Sequence, residues 1–405
     1  MNGIKEVTNG NITSPIGFQA AGMHAGIRNK KGKYDLCLIA SDYSTTVAGT
    51  YTQNTFKAAP VQLSKENIEQ GNPRGIVVNS RVANACTGKQ GAKDAYAMAE
   101  ISAKALNLTP SEIIVASTGL IGAYLPMDKI EKGIKELGQQ LSSHGGMDAA
   151  SAIMTTDTKE KYYAVKGRIG GKEVTVGGIA KGSGMIYPNM ATMLAFISTD
   201  CCISKKLLQK ALMDSVQKTY NMITVDGDTS TNDMVTCMAN GAAQNPLITE
   251  TNQDYHDFCQ LLDQVNKELA RQIVLDGEGA TKLIETTVKD ASSFDDARQM
   301  AMAVLNSNLV KTAFFGEDAN WGRIIVAMGY SGVDFNPSDT EIYLGDIKLF
   351  SKGEGLPFSE EKAKAILEKH EISITISLGN GTHSATGYGS DLSYEYVRIN
   401  GSYRT

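Results

Sequence analysis

Strand patterns and helix patterns alternate along this chain, and no long linker rich in proline, glycine or serine separates them. Apolar residues spaced at i, i+4, i+7 and i+11 between Asp128 and Leu141 predict one face of a helix, and Asp128 favours the helix N-terminus. Alternating apolar residues over 371–378 predict a strand with one buried face. For 405 residues, this favours two or three domains or one large α/β unit.

The same periodicities predict the other elements. Short apolar runs predict strands at 34–40, 45–51, 75–80, 113–117, 172–176 and 282–289. Helical spacing predicts helices at 91–106, 254–273 and 294–306, and one that Ser204 caps and that runs through Leu208, Leu212 and Val216. The alternating apolar residues of 397–405 predict that the end of the chain pairs in a sheet.

Composition argues against several classes of protein. Lys and Arg number 39 against 44 Asp and Glu, and a net charge of −5 gives no support to a nucleic-acid-binding surface. Neither a membrane-spanning run of ~20 apolar residues nor a secretory leader is recognisable, so we expect no membrane partner and a cytoplasmic protein. The six cysteines are scattered and the five histidines lack metal-binding spacing, which predicts reduced, mostly buried thiols and no metal site.

The segment 180–194 concentrates glycines, a proline, Lys181 and Thr192 beside a predicted strand. One interpretation is a glycine turn that leads into a core strand, with Thr192 as a β-branched strand residue. The other is an active-site loop. A threonine hydroxyl becomes a nucleophile when a base takes its proton, and the α-amino group of an N-terminal threonine, with a pKa near ~7.7, would serve.

Other loops carry candidate polar groups. Thr118 and Gly119 follow a predicted strand, where a hydroxyl and a backbone N–H could stabilise an oxyanion, although such turns are usually structural. Glu278 stands between glycines and could either neutralise a substrate ammonium or be a solvated turn carboxylate. Asn400 offers an amide for a carboxylate or amide ligand. The acidic run 226–233 lacks the spacing of a calcium loop, and we expect its side chains to bond their own backbone.

Several longer motifs, taken in order, resemble the ornithine acetyltransferase family of arginine biosynthesis, also called glutamate N-acetyltransferase. They span nearly the whole chain, at 17–22, 83–88, 117–119, 155–158, 190–194, 226–233, 320–323 and 400–405. One departure stands out, because the usual Asn-Ser-Gly-Asn of the family is Asn79-Ser80-Arg81-Val82 here. We expect this motif near the active site, so the departure bears on substrate preference or full activity.

The resemblance implies a layered α/β fold of the self-cleaving ornithine acetyltransferase type, not a nucleotide-binding doubly wound sheet. It also implies that the chain cuts itself between Ala191 and Thr192 into an alpha fragment, 1–191, and a beta fragment, 192–405. The Thr192 hydroxyl would attack the Ala191 carbonyl, and the resulting ester would hydrolyse. The fragments are expected to stay together as a heterotetramer of two alpha and two beta chains.

The resemblance also implies the reaction and its residues. Thr192 would take the acetyl group from N-acetylornithine and pass it to glutamate, while Thr118 and Gly119 form the oxyanion hole. By charge, Lys181 suits the substrate α-carboxylate or a proton transfer, and Glu278 suits the ornithine side-chain ammonium. No cofactor is implied, and acetyl-CoA is left open as a second acetyl donor. The substrate-binding positions of the family correspond to Thr155, Lys181, Thr192, Glu278, Asn400 and Thr405.

Two alternatives stay open beside acetyl transfer. The first is an amidohydrolase or aminopeptidase on the same scaffold, in which water attacks the acyl group on Thr192. The second is a non-catalytic homologue, which the Arg81-Val82 departure would favour. The chain has 40 glycines among 405 residues, more than the usual ~7%. Under the main interpretation, some of them let the backbone closely approach a small acetylated amino acid. The expected positions are Gly119, Gly182, Gly184, Gly277 and Gly279.

Overall fold

The computed structural model describes residues 3–28, 32–187 and 193–402. Ala191, Thr192 and Thr405 lie outside these ranges, so their predicted roles stay predictions. Within the described residues, the chain forms three sheets that carry helices on their faces. The layered α/β class predicted from the sequence is confirmed.

Two of the sheets stack on each other. The first has the order β2-β3-β5-β6 and the second the order β1-β7-β8-β9-β11-β4. Their strands are β1 (Lys5–Glu6), β2 (Phe18–Met23), β3 (Leu36–Ser41), β4 (Thr46–Tyr51), β5 (Gly75–Asn79), β6 (Ile113–Ser117), β7 (Lys161–Ile169), β8 (Lys172–Lys181), β9 (Leu194–Thr199) and β11 (Met234–Ala239).

The third sheet has the order β10-β17-β12-β16-β13-β14-β15. Its strands are β10 (Ile223–Thr224), β12 (Leu283–Ala291), β13 (Glu341–Leu344), β14 (Ile347–Ser351), β15 (Glu354–Gly355), β16 (Glu371–Ser377) and β17 (His383–Ser390). The helices are α1 (Ala59–Gln70), α2 (Gly88–Leu106), α3 (Met127–Leu137), α4 (Gly146–Ala152), α5 (Lys205–Lys218), α6 (Gln253–Leu275), α7 (Phe294–Asn306), α8 (Asn308–Phe315), α9 (Trp321–Gly329), α10 (Glu360–Leu367) and α11 (Tyr394–Ser402), with 3₁₀ turns at Pro110–Glu112 and Tyr220–Met222.

The strands of the stacked sheets have continuous apolar sequences because both faces of each sheet are buried. Successive side chains of a strand point to opposite faces. On the first sheet, Ile39 therefore packs toward the second sheet, whereas its neighbour Leu38 packs toward α2 and α3. On the second sheet, Phe196 faces the first sheet and Ile197 faces α5 and α6. The result is a helix–sheet–sheet–helix sandwich.

The third sheet has its own core with α7, α9 and α10. Ile372, Ile374 and Ile376 of β16 are all buried in it, which confirms the predicted alternating strand. The other predicted strands and helices are also present, with ends that differ by a few residues. The helix α3 ends at Leu137 rather than Leu141, and the Ser204 side chain accepts no cap hydrogen bond at the start of α5.

The prediction for the C-terminal run is wrong, because residues 394–402 form helix α11 rather than a strand. The Ser393 hydroxyl accepts hydrogen bonds from the backbone N–H groups of Glu395 and Tyr396, which starts a helical turn. Helical spacing then places Tyr396 and Asn400 on one face, and both make polar contacts at the cavity described below. Those contacts replace the expected sheet pairing.

The described part of the chain contains no helix that is long and apolar enough to cross a membrane. Nor do its His, Cys, Asp and Glu side chains form a group of three or more that could hold a metal ion. All six cysteines are free thiols. Only half of them are buried, since Cys86 is exposed and Cys202 and Cys259 are half-buried, so the prediction of mostly buried thiols is only partly right.

Candidate active site

A cavity of about 180 Å³ collects the described residues that the sequence analysis singled out. It lies where loops from the stacked sheets meet α11 and the loop after α6. Its volume suits a small amino acid rather than a large cofactor. A larger and more open groove of about 1030 Å³ lies beside β7 and α6, but none of the predicted residues line it. The predicted residues that line the smaller cavity are Thr118, Gly119, Thr155, Lys181, Gly184, Glu278 and Asn400.

Thr118 and Gly119 form a turn directly after β6. Gly119 has φ +129°, and a β-carbon there would lie 2.2 Å from the carbonyl carbon of Arg81, so only glycine fits. The Thr118 N–H donates to the Asn79 carbonyl at 3.1 Å, and the Leu120 N–H donates to the Arg81 carbonyl at 2.9 Å. The turn is thereby fixed from behind, while Thr118 and Gly119 line the cavity.

Two buried asparagines, Asn79 and Asn232, hold this turn from its sides, and we call them the amide pair. The Asn232 amide donates to the Ala83 carbonyl at 2.6 Å and to the Ser117 carbonyl at 2.8 Å. The Asn79 side chain accepts from the Ser117 hydroxyl at 2.6 Å and donates to the Val82 carbonyl at 2.9 Å. Sequence reasoning missed Asn232, although it lies in the quoted 226–233 motif.

The Arg81-Val82 departure lies directly behind the turn, as expected of a motif near the active site. Arg81 has φ +84°, a conformation that suits the glycine usual in the family better than an arginine. Val82 forms isolated β-bridges with Thr118 and Leu120. Arg81 and Val82 therefore contact the turn of Thr118 and Gly119 through their backbone, and neither residue lines the cavity.

Glu278 lies in the loop after α6, and backbone and amide contacts hold it in place. Its N–H donates to the Ser183 carbonyl at 2.8 Å, and its carboxylate accepts from the Asn400 side-chain amide at 2.8 Å. A β-carbon on Gly184 would lie 2.3 Å from this carboxylate. The glycine thus makes room for the Glu278 carboxylate, and it also lines the cavity, as the sequence predicts.

Gly277 and Gly279, by contrast, do not line the cavity, and Gly279 has φ +70°. A β-carbon at this glycine would lie 2.4 Å from the backbone nitrogen of Tyr396 in α11. At Gly277 the nearest atom would be the Val274 carbonyl oxygen at 3.0 Å, again within the protein. These glycines allow the loop after α6 to pack closely on its surroundings.

Lys181 ends β8, where it is in register with Leu194, and only 5% of its surface is exposed. Burial lowers the pKa of its ammonium group below the ordinary value, and the nearby charge of Lys161 acts in the same direction. The carboxylates of Asp157, Asp233 and Glu278 oppose that change. A lysine held in this way can meet a substrate carboxylate or take part in a proton transfer.

Asp157 organises the part of the cavity that contains Thr155 and Lys181. Its carboxylate accepts from the Thr155 N–H at 2.9 Å, from the Gly182 N–H at 2.7 Å and from the Lys161 ammonium at 2.7 Å. Burial alone would raise the pKa of this carboxyl group, but the charges of Lys161 and Lys181 outweigh it and lower the pKa. Asp157 is therefore a buried anion, and sequence reasoning did not single it out.

Asp226 and Tyr396 are further cavity residues that sequence reasoning missed. The Asp226 carboxylate accepts from the Met185 N–H at 2.6 Å, the Ile186 N–H at 2.8 Å and the Tyr396 hydroxyl at 3.2 Å. Asp226 also accepts from its own loop, at the Asp228 N–H, as the sequence predicts. Its main contacts are nevertheless to other segments, so the loop ties α11 to the turn before residue 187.

The cavity therefore combines a hydroxyl and a backbone turn on one side with a lysine and a carboxylate on the other. Such an arrangement can stabilise an oxyanion while it recognises both charges of a small amino acid. A layered α/β fold with this cavity is the arrangement expected of an acyltransferase that acts on small charged substrates.

Comparison with known proteins identifies the group to which the chain belongs. The ArgJ family model matches residues 19–405. The arginine biosynthesis bifunctional protein ArgJ of Symbiobacterium thermophilum is 51% identical over 397 residues, which cover 98% of this chain and 99% of that protein. The protein of the same name from Caldanaerobacter subterraneus subsp. tengcongensis is 50% identical over 404 residues, covering 99% of this chain and all of that protein. The chain belongs to the ArgJ family.

A solved structure agrees with this assignment. The chain of arginine biosynthesis bifunctional protein argJ from Bacillus halodurans is 46% identical and superposes with a TM-score of 0.51. All of that chain is covered, but it corresponds to only 52% of the present one.

Proposed function

We propose that this acyltransferase of the ArgJ family moves the acetyl group of N-acetylornithine to glutamate, giving ornithine and N-acetylglutamate. The observation that carries the proposal is the composition of the cavity. Thr118 and Gly119 face the same space of about 180 Å³ as Lys181 and Glu278. Oxyanion donors, a cation and an anion are what a zwitterionic acetylated amino acid requires.

Each charged group has a proposed partner on N-acetylornithine. The ammonium of Lys181 pairs with the α-carboxylate, and the carboxylate of Glu278 pairs with the side-chain ammonium. Asn400 orients Glu278 through its 2.8 Å hydrogen bond. Thr155, whose N–H donates to Asp157, lines the cavity as a further substrate contact. We also propose Thr405, the last residue, as a substrate contact.

Thr192 is the proposed nucleophile, after self-cleavage at the Ala191–Thr192 bond. The Thr192 hydroxyl attacks the Ala191 carbonyl, the acyl group moves from nitrogen to oxygen, and water hydrolyses the ester. The new N-terminal amine then serves as base for the adjacent hydroxyl. The size of the Bacillus halodurans chain supports this step, because it corresponds to about half of the present chain, as a cleavage product would.

Acetyl transfer then proceeds in two halves. The Thr192 oxygen attacks the acetyl carbonyl, ornithine leaves with the proton that the base removed, and the amine of glutamate attacks the acetyl ester. Thr118 and Gly119 stabilise the tetrahedral oxyanion in both halves, which is worth about 3–4 kcal/mol per donor in other enzymes. Relatives named bifunctional support acetyl-CoA as a second acetyl donor for glutamate. No resident cofactor takes part in these steps.

Intact-mass analysis and N-terminal sequencing of the purified protein test the proposal, together with an acetyl-transfer assay. We expect a second N-terminus that reads Thr-Met-Leu-Ala-Phe, and transfer from N-acetylornithine to glutamate. Thr192→Ala should stay uncut and inactive, whereas the control Thr312→Ala, at an exposed position in α8, should be cut and active. An intact 43.4 kDa wild-type chain, or cleavage of the Thr192→Ala variant, would contradict the mechanism.

The same assay separates the alternative activities. Release of acetate from N-acetylornithine without glutamate would instead indicate an amidohydrolase. Free thiol produced from acetyl-CoA only when glutamate is present would establish the second donor. We further propose a cytoplasmic heterotetramer of two alpha and two beta fragments, for which light scattering should give twice 43.4 kDa.

A further inference from the structure

A buried lysine, Lys161, lies between two carboxylates beside the cavity. Its ammonium group donates to Asp157 at 2.7 Å and to Asp276 at 2.6 Å, and more weakly to the Lys159 carbonyl at 3.3 Å. The Lys161 side chain is only 1% exposed, and those of Asp157 and Asp276 are 0% and 8% exposed. We call these three residues the ion cluster. It joins β7, the loop before β7 and the end of α6.

The ion cluster reaches every segment that carries a charged substrate contact. Through Asp157 it holds the backbone of Thr155 and of Gly182, the residue after Lys181. Asp276 accepts from the Thr158 N–H at 2.9 Å and from the Thr158 hydroxyl, and it precedes Glu278 by two residues. The cluster also joins residues from both sides of the proposed cleavage bond.

Stability alone is a weak reason for such a cluster. Removal of charges from water costs several kcal/mol per ion, and well-packed apolar residues often stabilise a protein as much or more. Lys161 and Asp276 also line the open groove beside β7 and α6, where no described residue has a predicted catalytic role. The connections of the ion cluster to the segments of Thr155, Lys181 and Glu278 therefore suggest that the cluster has a role in the reaction.

We propose that Asp157, Lys161 and Asp276 are positioning residues, which fix Thr155, Lys181 and Glu278 around the substrate and set the electrostatic field at Lys181. The positions of these contacts carry the inference. It rests on the proposed function for the identity of the substrate, but the position and charge of Lys181 can be measured without any substrate.

The charges around Lys181 shift its pKa in opposite directions, and this makes the proposal testable. The groups that act on its ammonium are Asp157, Asp233 and Glu278, which favour the charged form, and Lys161, which disfavours it. Removal of the Asp157 charge should therefore lower the pKa of Lys181. Removal of the Lys161 charge should raise it. A purely structural role would not produce opposite shifts from two neighbours in one cluster.

The test compares Asp157→Asn and Lys161→Met with the wild type. Trace labelling with acetic anhydride across a pH series, followed by peptide mass spectrometry, measures the titration of Lys181 directly. We expect its midpoint to fall by roughly one pH unit in Asp157→Asn and to rise by a similar amount in Lys161→Met. The pH limb of kcat/KM that Lys181 controls should move in the same two directions.

Asp200→Asn is the matched control, because Asp200 is also buried and accepts from two backbone N–H groups, those of Ile16 and Thr175. It is absent from the groups that act on Lys181, so the Lys181 titration should stay unchanged. If Lys161→Met does not fold, Lys161→Met with Asp276→Asn removes one charge of each sign. That variant should still raise the Lys181 midpoint.

Shifts in the same direction, or no shift in either variant, would overturn the positioning proposal even if the wild type transfers acetyl groups. A wild type without acetyl transfer would overturn the proposed function instead. In that case the labelling still decides whether the ion cluster sets the charge of Lys181.

Discussion

The two sides of the cavity are held in place by different kinds of interaction. On one side, which we call the neutral wall, the turn of Thr118 and Gly119 is held by the amide pair Asn79 and Asn232. On the other side, the charged wall, Lys181 and Glu278 lie next to the ion cluster. Each wall combines half-buried cavity residues (Thr118 and Gly119, or Glu278) with buried polar residues behind or beside them, so the contrast does not come from exposure.

The difference follows from what each wall has to bind. A negative charge develops on the acetyl oxygen during transfer, and a fixed carboxylate beside the neutral wall would repel it. Amides can hold the turn without adding net charge. The charged wall has to recognise an existing carboxylate and ammonium, and only opposite charges distinguish these from uncharged groups. Substitutions on the neutral wall should therefore change kcat, and those on the charged wall should change KM.

The largest effect is expected from Gly119→Ala. A β-carbon at Gly119 would overlap the Arg81 carbonyl at 2.2 Å, and its φ of +129° is unfavourable for alanine. The turn must shift, and we expect kcat to fall by roughly 100-fold or more, as when an oxyanion donor is lost. Steady-state kinetics of acetyl transfer measures this. A matched change at Gly122, which has φ +82° but no atom within 4 Å of the added carbon, should leave kcat within a few-fold.

Asn232→Ala tests the amide pair itself. It leaves the Ala83 and Ser117 carbonyls without the side-chain donor that each now has, and we expect a loss of about 2–4 kcal/mol in unfolding free energy. Because Ser117 precedes the turn, kcat should fall by roughly tenfold with little change in KM. Urea denaturation and kinetics measure the two effects. Asn266→Ala, which removes a buried asparagine bonded to Ser215 in α5, should destabilise without lowering kcat. A similar loss of kcat in both variants would contradict the assignment.

Glu278→Gln should affect the charged wall in the opposite way. Glutamine keeps the size of the side chain but removes the charge that the ornithine ammonium would meet, so we expect KM for N-acetylornithine to rise roughly tenfold, about 1.4 kcal/mol. The hydrogen bond from Asn400 can persist to the amide oxygen. The acetylation of glutamate from preformed acetyl-enzyme should change far less, because glutamate lacks that ammonium. Equal effects on both half-reactions would argue against this pairing.

Sequence alone predicts the parts of this site that depend on local pattern or on a motif. The strand β6 and the turn after it follow from an apolar run that ends in Ser-Thr-Gly, and the family resemblance marks Thr118, Lys181 and Glu278. The contacts that hold these residues join distant segments. Asn232 and Ser117 are 115 positions apart, as are Lys161 and Asp276. No local periodicity encodes such pairs.

Helix α11 shows a second reason why sequence patterns fail. Its Val397 and Ile399 alternate as in a strand, but Val397 is 67% exposed, so burial of an apolar face does not decide its structure. Polar contacts do, because Tyr396 donates to Asp226 and Asn400 donates to Glu278. The spacing of apolar residues indicates only which face of an element is buried. It therefore cannot predict a helix that is held in place by hydrogen bonds of its polar side chains.

The smallest effect is expected from Arg81→Gly, which restores the residue usual in the family behind the neutral wall. Arg81 adopts φ +84°, which favours glycine, but glycine also gains freedom in the unfolded chain. The two effects partly cancel, and we expect a gain of about 0.5–1 kcal/mol in unfolding free energy with kcat changed less than about twofold. Lys352→Gly, at φ +54° and outside the cavity lining, is the control and should give a similar gain. If Arg81→Gly alone changed kcat, the backbone behind Gly119 would be part of what sets the oxyanion geometry, and the neutral wall would extend to the departure from the family motif.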